Sequence, residues 1–468
     1  MQFLYILLAI FIFGILIFIH ELGHFIAARL CGVKVLEFAI GMGPQIFGWK
    51  SKKTGTKYAL RLFPIGGFVS MLGENGMETV QGDNGEGEEE VSIINEIVPS
   101  VESREDAPKD ASLKEDADTV PELEAYCNQS VWKRIFMSVA GPAMNVILGF
   151  LLMSVIVLSA GIENAGTNRV WGFYVTYTGA EALYEVATDD YIVGYMDGEK
   201  KIPITSLSYF KELVLESETH RFDLVINRLD ETGEKITELV LEDTEILEKD
   251  LVHFQSSLSE ASGLCVGDEI VKVNSASTHI ANDLQYELMM QGYRPMQLTV
   301  IRNGEELVLE DVVIPNEAQD GTVIGLIDFV VVREAALDFP TVIKHTWYRS
   351  VSTVKTVFDS LFGLFSGRFG VEAISGPVGI TKTIGEVAQQ YGFINLLYLV
   401  VVISINLGVM NLLPVPALDG GHILIYVIEL IRRKPLPKGV EAMINFIGLV
   451  LILGLAVIIA FKDVFTLL

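Results

Sequence analysis

The sequence predicts a polytopic α-helical membrane protein of about four transmembrane helices, with small α/β domains outside the bilayer. Three observations predict it. First, half of the 468 residues are hydrophobic, and they gather in long uncharged runs. Residues 3–19, 149–161 and 446–461 carry no charge, and 384–431 carries only Glu386, Asp419 and Glu429. A bilayer span needs ~20 apolar residues, and a soluble core rarely sustains such runs. Second, Lys and Arg cluster in the short connections: Lys34 to Arg61 after the first run, Lys133 and Arg134 before the second, and Arg432 to Lys438 before the last. Third, the long segment between the second and third spans alternates strand and helix patterns and repeats itself.

The spans read as about 3–27, 134–160, 393–415 and 443–461. No basic residue precedes the first run and no small-x-small site follows it, so it reads as a retained span, not a cleaved signal peptide. The three basic clusters place their connections in the cytoplasm, with both termini and 161–335 facing outward. The expected location is therefore the inner (cytoplasmic) membrane, crossed several times.

Net charge is −26, but it is local. Between Glu74 and Glu124 there are 17 acidic residues against three basic ones, −14 in all. A charged, aromatic-poor stretch buries too little apolar surface to fold, so an acidic, disordered insertion is expected over 74–128. No basic face points to nucleic acid. The three cysteines, Cys31, Cys127 and Cys265, are too far apart in sequence for a disulfide framework or a metal motif.

The remaining boundaries follow from pattern. Residues 1–73 hold the first transmembrane helix and a membrane-associated hairpin, read from the alternation at Tyr58-Ala-Leu-Arg-Leu-Phe and the glycines of Pro64-Ile-Gly-Gly-Phe. Residues 129–162 hold the second helix. The outer segment repeats: Asp190-Tyr-Ile-Val-Gly-Tyr matches Asp268-Glu-Ile-Val-Lys-Val, and Phe222-Asp-Leu-Val-Ile-Asn-Arg matches Met296-Gln-Leu-Thr-Val-Ile-Arg, each pair flanking a helical stretch. Two tandem units are expected, 163–248 and 249–335. Residues 336–392 are amphipathic and read as interfacial, broken at 370–379; 393–468 hold the third and fourth helices.

The chemistry starts at His20-Glu21-Leu22-Gly23-His24. On a helix, positions i and i+4 share a face ~5–6 Å apart at Cβ, so two imidazoles can grip one zinc ion while Glu21 reaches a water on it. Ionisable groups at the end of an apolar span cost about 2.5–3.5 kcal/mol each on insertion scales and are usually functional. The competing reading is a polar helix end, with Arg29 close by. A catalytic zinc takes three protein ligands, so another polar residue within an apolar run is required. Asp419 is the clear candidate: prolines 414 and 416 and glycines 420 and 421 break the backbone around it, as befits chain lining a site at membrane depth. His422 is the other candidate ligand, with a supporting role preferred for it.

Together these residues resemble the site-2 protease family of intramembrane zinc metalloproteases, in the bacterial branch typified by the regulator-of-sigma-E protease. The resemblance rests on HELGH at 20–24, Gly41-Met-Gly-Pro44, Pro64-Ile-Gly-Gly67, Gly141-Pro-Ala-Met-Asn145, Ser375-Gly-Pro-Val-Gly379, Asn411-Leu-Leu-Pro and Leu418-Asp-Gly420. In addition, Ser262-Gly-Leu-Cys-Val-Gly-Asp-Glu-Ile-Val-Lys-Val-Asn274 resembles the hallmark stretch of PDZ domains, while Ala187-Thr-Asp-Asp190 lacks its glycines. The outer units are thus expected to be extracytoplasmic and PDZ-like, the first degenerate. PDZ domains bind extended peptides by adding a strand to a sheet edge.

The resemblance implies His20, His24 and Asp419 as zinc ligands, with Glu21 moving a proton from water to the leaving amine near the cytoplasmic side. It implies that Asn411 holds substrate or stabilises the oxyanion, and that Asn145 contacts substrate; the competing reading of each is a structural bridge between helices. Gly66, Gly67 and Phe68 of the hairpin would pair with substrate as an added strand. The implied partners are the lipid bilayer and single-pass membrane proteins already trimmed by another protease, such as anti-sigma factors or signal-peptide remnants. The alternatives are a non-proteolytic scaffold acting through its PDZ-like units, which would not need Glu21, and a transporter, which the lack of an inverted repeat disfavours.

Overall fold

The structure, a computed structural model, describes residues 2–74, 125–161, 165–179, 182–188, 190–229, 236–319, 322–367 and 375–467. Most of the expected acidic insertion, 75–124, and the first part of the expected pattern break at 370–379 lie outside the described residues.

Among the described residues, four helices are long and apolar enough to cross a membrane: Tyr5–Leu30, Val131–Ala160, Gly392–Leu412 and Gly439–Asp463. The first belongs to α1 (Gln2–Leu30), which stops where Gly32 turns left-handed at φ +78° and Val33 N–H bonds back to the Ala28 carbonyl at 2.9 Å. The chain then forms β1 (Val35–Lys50) and β2 (Lys57–Met71). This sheet is larger than the short hairpin that the alternation suggests. Each strand is used twice: Glu37 to Ile40 pair with Gly67 to Ser70 and also with Lys57 to Leu60, which pair in turn with Phe47 to Lys50. The register shifts between these rows give the strand ends to different neighbours. Aromatics tie the sheet to α1, with Phe38 edge-on to Phe18 and Phe25 at 5.9 and 5.3 Å.

After α2 (Val131–Ala160) come the strands β3 (Gly166–Phe173), β4 (Val175–Tyr177), β5 (Tyr191–Asp197) and β6 (Lys200–Pro203), then α3 (Leu207–Glu216), β7 (Arg221–Leu229), β8 (Ile236–Glu245) and β9 (Phe254–Ser256). A short α4 (Leu258–Ala261) leads to β10 (Glu269–Val273), β11 (Ala276–Ser277), α5 (Ala281–Gln291), β12 (Met296–Arg302), β13 (Glu305–Val312), β14 (Asn316–Gln319), β15 (Thr322–Gly325) and β16 (Phe329–Arg333).

The sequence repeat is matched by a repeated device. Arg228 forks onto Asp190 at 2.8 and 2.7 Å, and Arg302 forks onto Asp268 at 2.7 and 2.7 Å. Each aspartate also accepts an amide three residues back, from Ala187 and from Cys265, and each arginine reaches a nearby carbonyl, of Glu185 and of Gly263. Both aspartates are almost fully buried, and the bidentate arginine together with the amide satisfies each carboxylate.

The units are nested, however, where the repeat suggests a tandem. One sheet runs β8-β7-β5-β4-β9, and the other runs β13-β12-β10-β3-β16. The chain therefore lays β3 in the second sheet, leaves it to build the first unit, and returns. Two cores follow the sheets: Val175, Ile192, Phe210 and Phe254 anchor one, while Val170, Phe173, Ile270 and Phe329 anchor the other.

The last segment holds α6 (Phe339–Phe365), α7 (Pro377–Gln390), α8 (Gly392–Leu412), α9 (Asp419–Arg432) and α10 (Lys438–Leu467). α6 is not among the spans. Asp338 caps its start through the Thr341 amide at 3.0 Å, and Ile343, Trp347, Val351, Phe358 and Phe362 stay exposed along it. α8 ends at Leu412, short of the expected 415, because proline at 414 and 416 cannot continue a helix. The described residues form two compact units, 13–144 with 412–451, and 145–411 with 1–12 and 452–468.

Candidate active site

α1 places His20 and His24 one turn apart, with ring centroids 4.9 Å apart and planes at 78°. Gly23 lets α2 come close: a Cβ there would strike the Ala140 carbonyl. Gly141 on α2 does the reverse, since a Cβ on it would strike the His24 ring. α2 also orients that ring. His24 Nδ1 donates to the Met137 carbonyl at 2.8 Å, which fixes the tautomer and leaves Nε2 to face inward.

Asp419 arrives as the first residue of α9. Ala417 turns at φ +71°, and Gly420 and Gly421 pack so tightly under the carbonyls of Leu412, Leu413 and Val415 that side chains there have no room. The carboxylate lies 3.2 Å from His20 Nε2 through Oδ2 and 3.4 Å from His24 Nε2 through Oδ1, and the two Nε2 atoms are 3.2 Å apart. A tetrahedron with Zn–N and Zn–O bonds of about 2.0–2.2 Å has edges of roughly 3.3–3.6 Å, so these three donor atoms have the spacing of one face of it. They are the metal-capable group found among the described residues, all within 4.8 Å of one another. Burial raises the Asp419 carboxyl, but the His20 and His24 rings against it outweigh that and hold the group well below the usual carboxylate range.

Glu21 lines the same cavity of about 920 Å³. Gly67 and Phe68 of β2 line it too, and a Cβ on Gly67 would lie 2.9 Å from Glu21 Cγ. Gly66 sits at φ +87° beside Met42, and the Arg61 guanidinium covers Phe68 at 5.0 Å. Thus His20, Glu21, His24, Asp419, Gly67 and Phe68 come together. Asn145 and Asn411 belong to the other compact unit and are not among the residues lining this cavity. Asn145 is fully buried, and its carbonyl accepts from Ser404 Oγ at 2.7 Å, so it bridges α2 to α8. His422 is not in the metal-capable group; its Nδ1 faces Glu441 Oε1 at 3.8 Å.

Sequence reasoning left other cavity residues without a role. Arg134 pairs with Glu429 at 2.8 Å and covers the Tyr426 ring at 4.7 Å, and Tyr126 and Tyr426 share a hydrogen bond of 2.8 Å. Burial pushes the Tyr126 hydroxyl up to about 12. The signal was present: Asp419, His422, Tyr426 and Glu429 fall at i, i+3, i+7 and i+10, one polar stripe on an otherwise apolar helix.

The family model described as Peptidase family M50 matches residues 8–455. The chain belongs to peptidase family M50. It is a metalloprotease of the site-2 protease type. Among M50 relatives, the regulator of sigma-W protease RasP of Bacillus subtilis (strain 168) is 28% identical over 97% of each chain. The zinc metalloprotease RasP of Bacillus licheniformis is 27% identical over 97% of each, and that of Geobacillus kaustophilus is 28% identical over 97% of this chain and 96% of its own. For an M50 site built this way, Gly141→Ala is expected to displace the His24 ring and lower activity by at least tenfold, with the protein still folded. Zinc content per folded molecule and cleavage rate, measured on one preparation, check this; unchanged values for both would show that α2 yields at no cost.

Proposed function

We propose that this chain cleaves single-pass membrane proteins within or beside their transmembrane segments, with His20, His24 and Asp419 holding zinc. The observation that carries the reading is the set of three ligand atoms at 3.2, 3.2 and 3.4 Å, built from two helices and pinned by a third. When bound, zinc supplies Lewis-acid polarisation of the scissile carbonyl and lowers the pKa of water. The Glu21 carboxylate takes a proton from the attacking water and returns it to the leaving amine nitrogen, so one water is consumed per bond cleaved. The Met137 carbonyl holds the His24 ring through Nδ1, leaving Nε2 as the atom that would bind the metal, and the α9 turn sets Asp419 beside both rings.

A peptide bond in a membrane helix is shielded by its own hydrogen bonds, so cleavage requires a locally extended chain. The Gly67–Ser70 row of β2 pairs with β1 on one side, and on the other it meets no strand among the described residues. This edge supports Gly66, Gly67 and Phe68 as the element that adds the substrate as a strand. Asn411, on the last turn of α8, and Asn145 are assigned to substrate and oxyanion contacts by resemblance. The basic connections support a catalytic end toward the cytoplasm of a multi-pass inner-membrane protein, with the nested units as extracytoplasmic PDZ-like filters that admit pre-trimmed substrates. One relative's name, regulator of sigma-W protease, makes membrane-bound anti-sigma factors the substrate class to try first.

The test uses the full chain in liposomes with one single-pass substrate in two forms, trimmed and carrying its outer domain. Cleavage of the trimmed form alone is expected. Equal cleavage of both would remove the filter; cleavage only in soluble tails would remove the intramembrane assignment.

A further inference from the structure

The cavity holds a second group of polar side chains that the proton and metal chemistry does not use. His422 lies one turn beyond Asp419 on α9, and Asn445 lies on α10, four residues after Glu441. All line the cavity shared with Glu21. His422 Nδ1 and Asn445 Oδ1 are both buried and have no hydrogen-bond partner among the described residues. Glu441 Oε1 lies 3.8 Å from His422 Nδ1, beyond hydrogen-bond distance.

Three facts argue that this grouping is built. Asn445 is the sole residue with a polar side chain between Ile444 and Phe461, in a helix apolar enough to span a bilayer, where such a group carries an insertion cost. α10 is pinned in rotation: Gly448, on the same face as Asn445 and Glu441, packs against Pro416 so closely that a Cβ would overlap it. Pro416 belongs to the turn that delivers Asp419, so the turn placing the metal ligand also places Asn445. Finally, buried polar atoms are nearly always paired, and two unpaired ones facing a common cavity call for an occupant with complementary groups.

We propose that Asn445 and His422 form a main-chain-reading subsite for the substrate, resting on the peptidase reading above. Asn445 Oδ1 accepts a backbone N–H, and His422 Nδ1–H, steadied by the Glu441 carboxylate, donates to a backbone carbonyl. The ligand is an extended peptide segment. A helical segment cannot satisfy the site, because its N–H and C=O groups already bond to each other, whereas an extended residue turns its own N–H and C=O to the same side. The subsite therefore favours substrates whose helix has opened, independently of side-chain identity, and is a specificity element distinct from the β2 edge.

The experiment measures binding of a trimmed single-pass peptide to the full chain in liposomes, in the Glu21→Gln background so that the peptide survives. Backbone amides near the cleavage point are replaced one at a time by esters, which removes a single N–H. One ester position is expected to weaken binding by about 5- to 10-fold, the worth of one hydrogen bond, and Asn445→Leu is expected to weaken the parent peptide by a similar factor. The two losses should not add when combined, and zinc content should stay at the wild-type level. His422→Phe should behave likewise toward the carbonyl side, and it keeps the test open if Asn445→Leu fails to fold. Fully additive losses, or parent binding unchanged in both variants with zinc retained, would overturn the proposal. A Glu21-intact protein that shows the same non-additive binding yet never cleaves would instead overturn the peptidase reading and leave the subsite standing.

Discussion

Glu21→Gln is expected to lower kcat/KM by about 10²- to 10⁴-fold, the range that a positioned general base contributes. Glutamine keeps the shape of the side chain beside Gly67, so the β2 strand has no reason to move, and the His20, His24 and Asp419 contacts are untouched. What disappears is the atom that accepts a proton. The loss should fall on kcat, with substrate affinity and bound zinc both preserved. A paired assay checks this: a trimmed single-pass substrate in liposomes with wild type, with Glu21→Gln, and with wild type plus a zinc chelator. Cleavage by untreated wild type alone, restored by zinc after chelation, is the expected pattern. A glutamine variant as fast as wild type would remove Glu21 from the mechanism and bring forward the scaffold reading.

The parts of this site that were readable in the sequence are those whose geometry is local. His20, Glu21 and His24 need only a helix to share a face. Asp419 was conspicuous because an acidic residue between glycines and prolines in an apolar run has few other uses. The spans were legible for the same reason, with most ends shifted by a few residues and the α8 end set by the Pro414 turn. What was hidden depends on distant partners. Arg134 and Glu429 are 295 residues apart, and each alone reads as a charge flanking a membrane segment. The alternation of β3 says that it is a strand but not which sheet takes it, so the nesting could not be foreseen from the repeat. Likewise, the double use of β1 and β2 is a matter of register, which alternation leaves open.

The Arg134–Glu429 pair carries the second large expectation. Glu429 is 5% exposed, accepts Arg134 at 2.8 Å through Oε2, and accepts the Leu436 amide at 2.9 Å through Oε1, closing the chain after the left-handed Arg433. Arg134→Met leaves that carboxylate buried without its cation, a change worth about 3–5 kcal/mol against the folded state, and Tyr426 loses a cation–π contact of about 0.5–2 kcal/mol. Both ligand-bearing helices answer to α2 within one turn, because Met137 holds His24 and Arg134 holds the far end of the helix that begins at Asp419. A denaturant midpoint shift and faster loss of zinc to a chelator are therefore expected together. The double variant Arg134→Met with Glu429→Met separates the two effects. Apolar replacement of a buried pair is often neutral for stability, so the midpoint should largely recover. If zinc retention and kcat recover with it, the pair matters only for folding. If stability returns while the metal still leaves early, the pair sets where Asp419 stands, and the polar stripe on α9 is part of how the site is held in register.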